Sequence, residues 1–198
     1  MGRKLGLTLD DVVAKAAEIA DRDGLDQLSL ASLAASLGVR SPSLYNHVDG
    51  LPGLRRQLAI RAGRQMADEL TGAIGGTTDS PTDRLRAIGV AYRHFALAHP
   101  GLYAATLPAP TPEQDPEVAD ALASPVKSVA SVLEPMGIAS SDMIPLIRAL
   151  RASIHGFVDL ELGGGFGLPD DIDDSFATTI DLIVSAIAAR SSTSASNS

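Results

Sequence analysis

The feature that most constrains this chain is a glycine set between two helix starts, in the stretch Ser29 to His47, SLASLAASLGVRSPSLYNH. Ser29 is a favoured N-cap, and Leu30, Leu33, Ala34 and Leu37 fall on one helical stripe. Gly38 then offers the left-handed conformation that closes helices. Shortly afterwards Ser41 and Pro42 supply a second N-cap and a ready-made first helical residue. Two short helices share one tight turn, the helix-turn-helix arrangement whose second helix lies in the DNA major groove.

The spacing turns Leu44 and Val48, four apart, inward beside Val39. Arg40, Pro42, Ser43 and Asn46 are left on the outer face, with Tyr45 and His47 flanking it. Small side chains allow close approach to base edges, and Asn can pair bidentately with adenine. Tyr and His can position the helix by donating to phosphates. Ser41 to His47 is thus the expected reading segment, with an ordinary helical hairpin as the alternative.

Composition supports a helical chain. Ala and Leu dominate over β-branched and aromatic residues, and no sustained alternation or hairpin dipeptide marks a strand, so the fold class expected is all-α. There is no Cys, which excludes disulfides, thiolate catalysis and Cys-bearing zinc sites. The N-terminal segment lacks a signal-peptide pattern and no apolar run reaches a membrane-spanning length, so a cytoplasmic protein without a membrane partner is expected. The net charge of −8 is unevenly placed: residues 1–65 carry nine Lys and Arg against seven Asp and Glu, and residues 66–198 carry seven against seventeen. A mildly basic head on an acidic body is compatible with local phosphate contacts.

Met1 to Gly6 forms a short arm whose Arg3 and Lys4 could reach a phosphate or the minor groove, with a frayed terminus as the commoner reading. Thr8 caps a first helix with Asp11 three residues on and a stripe of Leu9, Val12, Val13, Ala16, Ala17 and Ala20, ended by Gly24. After DGLPG, a long helix keeps Leu54, Leu58, Ala62, Met66 and Leu70 in period. It carries Arg55, Arg56, Arg61 and Arg64 on other faces. Ser80 to Asp83 start a helix bearing Leu85, Ile88, Tyr92, Phe95 and Ala96, which Pro100 and Gly101 should stop. Pro125 either caps a new helix or kinks one. Ser140 to Leu162 reads as a long helix in which Pro145 belongs in the first turn. Phe176, Ile180, Ile183, Val184 and Ile187 mark the last helix, and residues 191–198 read as a disordered tail.

LAASLGV, SPSLYNHV and the long helix that follows resemble the DNA-binding region of the TetR/AcrR family of bacterial repressors, from about Leu7 to Leu58. The YNHV segment is similar to that family's Tyr-x-His-Phe/Val signature. The resemblance implies a helix-turn-helix domain over 1–52, a helical effector-binding and dimerisation domain over 53–190, and DNA contacts by Arg40, Ser41, Pro42, Ser43, Tyr45, Asn46 and His47. Leu51 stands where the family's phosphate-gripping Lys usually opens the next helix, so Arg55 or Arg56 is the expected substitute. AYRHFALAHPGLYA and the segment around His155-Gly156 resemble the subfamily named for a Trp-His-Gly motif, with Ile154 replacing the Trp. That likeness implies a homodimer through the last two long helices, a palindromic double-stranded DNA operator and a small-molecule effector that releases the repressor.

Candidate pocket residues combine apolar bodies with polar tips: Tyr92, His94, Phe95, Tyr103, His155 and Asp159, with His155 favoured by its motif position. Each could instead be a satisfied core residue. His94 and His99 are five apart and do not share a helical face, and no H-E-x-x-H pattern occurs, so neither a metal nor another cofactor is expected. GGGFG lacks a Lys-Ser/Thr ending, and GxSxG is absent. The sequence therefore predicts a regulator rather than an enzyme. A dimeric DNA-binding protein without an effector and, further off, a helical enzyme are the alternatives.

Overall fold

The structure is a computed structural model that describes residues 6–76, 80–108 and 110–195, without the side chains of 192–195. The basic arm at Arg3 and Lys4 lies outside the described residues. Among the described residues there are eight α-helices, three short 3-10 helices and no strand, an all-α fold. The α-helices are α1 (Leu9–Asp23), α2 (Leu30–Leu37), α3 (Gly50–Gly75), α4 (Pro81–Ala98), α5 (Pro100–Ala105), α6 (Pro116–Leu133), α7 (Ser140–Leu162) and α8 (Ile172–Ala195).

The chain divides into two compact units, one of residues 1–64 with 98–122 and one of 65–97 with 123–198. This differs from the expected 1–52 and 53–190, and the reason lies in α5. At Gly101 that helix meets α1 backbone to backbone: a Cβ there would stand 2.2 Å from the Ala20 carbonyl carbon. Asp21 fastens the junction, its carboxylate accepting from the Leu102 N–H at 2.9 Å and meeting His99 Nδ1 at 3.0 Å. Pro100 thus opens α5 with His99 at its N-cap, whereas the sequence predicts that Pro100 and Gly101 stop the preceding helix and that one or two helical turns run from Leu102 to Leu107. Proline suits the first helical position because its missing N–H would be unbonded there anyway.

In the first unit Val12, Val13, Ala16, Ala17 and Ala20 of α1 are buried as their spacing predicts. Ile19 joins them, while Leu9 is exposed. Leu28, Leu33, Leu44, Leu54 and Leu58 complete this core, and Ile60, Val118 and Ala121 pack as a further cluster. In the second unit Leu85, Ile88, Tyr92, Phe95, Ile147, Leu150, Ile154, Phe176, Ile180 and Val184 are buried. Burying a large aliphatic or aromatic side chain contributes about 1.5–3 kcal/mol, so these stripes outweigh the weak helix propensity of Ile, Val and Phe.

The two proline questions resolve differently. Pro125 lies inside α6 rather than between two helices. The carbonyl whose helical partner it removes is that of Ala121, four residues back. That carbonyl lies against Gly63, where an added Cβ would be 2.5 Å from it, so only glycine fits. Pro145 is the sixth residue of α7, hence in its second turn and not its first. Both Ser141 and Pro145 are exposed, so water can satisfy the carbonyl that Pro145 leaves unbonded. At the C-terminus α8 continues through Ser191 to Ala195, five residues into the segment expected to be disordered.

Candidate functional site

The site begins with a capped helix. Ser29 and Ser32 form a reciprocal capping box at the start of α2, and Gly38 ends it at φ 67°, left-handed as the sequence required. The Val39 N–H reaches back to the Ala34 carbonyl at 3.0 Å, which closes the turn. Arg40 is extended, and its carbonyl accepts from the Ser43 N–H at 2.9 Å. Ser41–Asn46 then forms a 3-10 helix, with Arg40 and not Ser41 at the N-cap and no side-chain cap.

That helix type decides which residues face outward, because side chains three apart eclipse on a 3-10 helix. Ser41, Leu44 and His47 form one row, in which Leu44 is fully buried and the other two are half-buried. Pro42 with Tyr45, and Ser43 with Asn46, form the outward rows. Tyr45 is 62% exposed, and Arg40, Pro42 and Asn46 are also exposed. Among the described residues the side chains of Arg40, Ser43, Tyr45 and Asn46 make no hydrogen bond within the chain. Val48 is buried beneath them, as its spacing from Leu44 predicted.

Of the two arginines expected to replace the missing Lys, one is already committed. Arg56 donates to Asp115 from Nε at 2.6 Å and from Nη2 at 3.0 Å, and to Glu117 from Nη2 at 2.8 Å. These hydrogen bonds hold its guanidinium above the ordinary arginine range and the Asp115 carboxyl below the ordinary carboxylate range. Arg55 makes only long bonds from Nη2, to the Leu25 carbonyl at 3.4 Å and Asp26 at 3.3 Å. Its partner Asp26 is almost wholly exposed, so Arg55 can exchange it for another anion. Leu51 itself is half-buried.

The expected pocket residues do not come together. Tyr92 and Phe95 are core residues of the second unit, and Tyr103, 4% exposed, belongs to the first. His155 is half-buried and Asp159 exposed on α7. His94 alone among the six lines the cleft of about 600 Å3 that runs between α4 and α8. Val90, Leu97, Phe176, Ala177 and Ile180 give that cleft its apolar surface, and Arg86 and Arg93 flank it. A legible signal existed for these: Arg86, Val90, Arg93 and Leu97 recur at helical spacing on α4, opposite its buried stripe.

Ion pairs fix the walls of this cleft. Arg93 grips Glu161 through Nε at 2.7 Å and Nη2 at 2.6 Å, and its Nη1 lies 2.7 Å from Asp173. Its guanidinium carbon sits 4.9 Å from the centre of the Phe176 ring. The Glu161 hydrogen bonds, followed by Asp173, raise the Arg93 pKa well above its usual value. Arg86 reaches Asp181 at 2.6 Å, and His94 lies 3.5 Å from Glu69. Among the described residues no group of three or more His, Asp and Glu is placed to hold a metal ion. No helix there is long and apolar enough to cross a membrane.

A capped helix, a left-handed glycine turn and a second helix with uncommitted polar groups outward define a helix-turn-helix DNA-binding protein. Comparison makes the class specific. The sequence model described as "Tetracyclin repressor-like, C-terminal domain" matches residues 85–183. The HTH-type transcriptional regulator YobS of Bacillus subtilis is 34% identical over 188 residues, 94% of this chain and 96% of YobS. The HTH-type transcriptional repressor DrrR1 of Streptomyces coeruleorubidus is 30% identical, over 78% of this chain and 54% of that protein. Among solved structures, a TetR variant from Acinetobacter baumannii in complex with minocycline superimposes with a TM-score of 0.68 at 21% identity, covering 91% of this chain and 96% of that one. The chain belongs to the TetR family of transcriptional regulators, and it is a DNA-binding regulator of transcription.

Proposed function

We propose that this regulator is a cytoplasmic homodimeric repressor that reads a near-palindromic operator through Arg40 to His47 and is released by a small molecule. The observation that carries the reading is the pair of outward rows, where Tyr45 and Asn46 are exposed and, among the described residues, have no side-chain hydrogen bond within the chain, beside a fully buried Leu44. Asn46 serves base recognition, Tyr45 and Arg55 serve phosphates, and His47, half-buried on the inward row, acts at the edge of the surface. DrrR1, named a repressor, supports the sign of regulation.

The dimer uses α7 and α8. On α7, Ala149, Ala152, Gly156 and Leu160 recur three or four apart and are exposed; on α8, Leu182, 70% exposed, recurs with Ala186 and Ala189. Small residues with an occasional Leu allow helices of two copies to approach closely. For the effector, the α4–α8 cleft offers an apolar surface with His94 beside it, and the minocycline complex of the Acinetobacter protein supports a small-molecule partner. An effector removes the repressor from DNA only as far as it prefers the state with misplaced heads.

The test is to incubate the purified protein with fragmented DNA from its source organism and sequence what is retained at moderate salt. An inverted repeat with half-sites about 34–36 Å apart is expected. Diffuse, salt-sensitive retention would overturn the reading.

A further inference from the structure

The first unit contains a second cleft, of about 760 Å3, within the ~300–1,000 Å3 typical of small-molecule sites. Pro52, Arg55, Arg56 and Ala59 line it from one face of α3, where residues three and four apart are neighbours. Ala105 and Val118 face them with Pro108 and Pro110, so most of the wall is short, stiff and aliphatic. Such a wall keeps its shape without filling its own space.

The polar side is unequal in what it has left to offer. Both oxygens of Asp115 are taken, Oδ2 by Arg56 Nε and Oδ1 by Arg56 Nη2 and the Val118 N–H. Arg55 uses only Nη2, so its Nε and Nη1, like Nη1 of Arg56, meet no acceptor among the described residues. The remaining charge on the wall is the carboxylate of Asp49. Two adjacent guanidinium groups with unused N–H donors favour a carboxylate-sized anion, since charge-assisted bonds to arginine are about twice as strong as neutral ones.

We infer that this cleft is a ligand site within the reading head, taking a small organic anion with a short aliphatic body, and that the bound anion competes with DNA for Arg55. The competition rests on the reading of Arg55 as a phosphate contact; the site itself does not. It is separate from the α4–α8 cleft, with which it shares no residue. A regulator so built would lose DNA affinity through occupancy of the head alone.

The probes are hexanoate, hexan-1-ol and hexylamine, equal in length and differing in charge, titrated into the full-length protein by NMR. Hexanoate should bind at least tenfold more tightly than either of the others, and Arg55→Gln should weaken it about tenfold without lowering the melting temperature. Ala59→Phe, which fills the wall, should abolish it. No hexanoate binding, equal binding of hexan-1-ol, tighter binding of hexylamine through Asp49, or hexanoate binding that survives Arg55→Gln would each overturn the site. Fluorescence anisotropy on the selected operator separates the two claims. Hexanoate should weaken wild-type DNA binding, and its failure to do so while bound would overturn the competition. Unaltered DNA affinity in Arg55→Gln would remove the phosphate contact, leaving the NMR titration to decide the site.

Discussion

Among the described residues the polar side chains on the outward rows of Ser41–Asn46 have no hydrogen-bond partner within the chain, whereas in the cleft between α4 and α8 every charged side chain has a partner. Arg86 holds Asp181, Arg93 holds Glu161 and Asp173, and His94 lies beside Glu69. The difference follows from what each surface is for. An exposed donor is satisfied by water at little cost and exchanges that water for a base or phosphate, so a reading surface works best uncommitted. A wall that must keep its shape next to an open cleft needs its charges fixed, because a half-buried ion without a partner destabilises the fold.

This contrast predicts opposite consequences for truncation in the two regions. Arg93→Ala should cost about 3 kcal/mol, because the side chains of Arg93 and Glu161 are only 14% and 15% exposed and Glu161 would be left without its strongest partner. Denaturant unfolding measures it; a loss below about 1 kcal/mol would mean that the clamp is no more than a surface pair. In the reading segment, Asn46→Ala should leave stability unchanged within about 0.5 kcal/mol. It should weaken operator binding by about 1–3 kcal/mol with little change on random DNA. Tyr45→Phe should weaken both alike, by less. If Asn46→Ala lost equally on operator and random DNA, its side chain would belong with the phosphate contacts.

The head was largely legible because its signals are local. A serine cap, a stripe and a left-handed glycine each act within a few residues, so Ser29, Leu33 and Gly38 appear as the sequence placed them. Leu44 and Val48 were legible for the same reason. What escaped was the type of the second helix, 3-10 over Ser41–Asn46, which makes Arg40 rather than Ser41 the N-cap and brings Tyr45 from the flank onto an outward row. The candidate pocket was poorly legible. Tyr92, Phe95 and Tyr103 are side chains of the pocket-lining type, yet side-chain type does not say whether a residue faces a cavity or the core, and all three are core. Arg56 shows the same limit: nothing near it in sequence announces Asp115, fifty-nine residues on. α5 likewise joins the head through Gly101 and Asp21, a long-range contact that no local pattern encodes.

The Arg56 clamp gives the smallest and most selective prediction, since it lies in the head yet is committed like the walls of the α4–α8 cleft. Asp115 has a folded pKa below its unfolded value, chiefly through the Arg56 hydrogen bond and then the Val118 N–H. A group so depressed stabilises the fold above its unfolded pKa of about 3.9, and that stabilisation is lost as pH falls through the lower folded value. Asp115→Asn keeps the shape and removes the charge, so it should melt below the wild type at pH 7. The gap should hold down to about pH 5 and narrow steadily below about pH 4. Other depressed carboxylates such as Asp11 and Asp83 acid-destabilise both proteins alike and cancel in the difference. A gap independent of pH would show that the Asp115 charge adds nothing to the fold, and that the Arg56 clamp is no more than a surface pair.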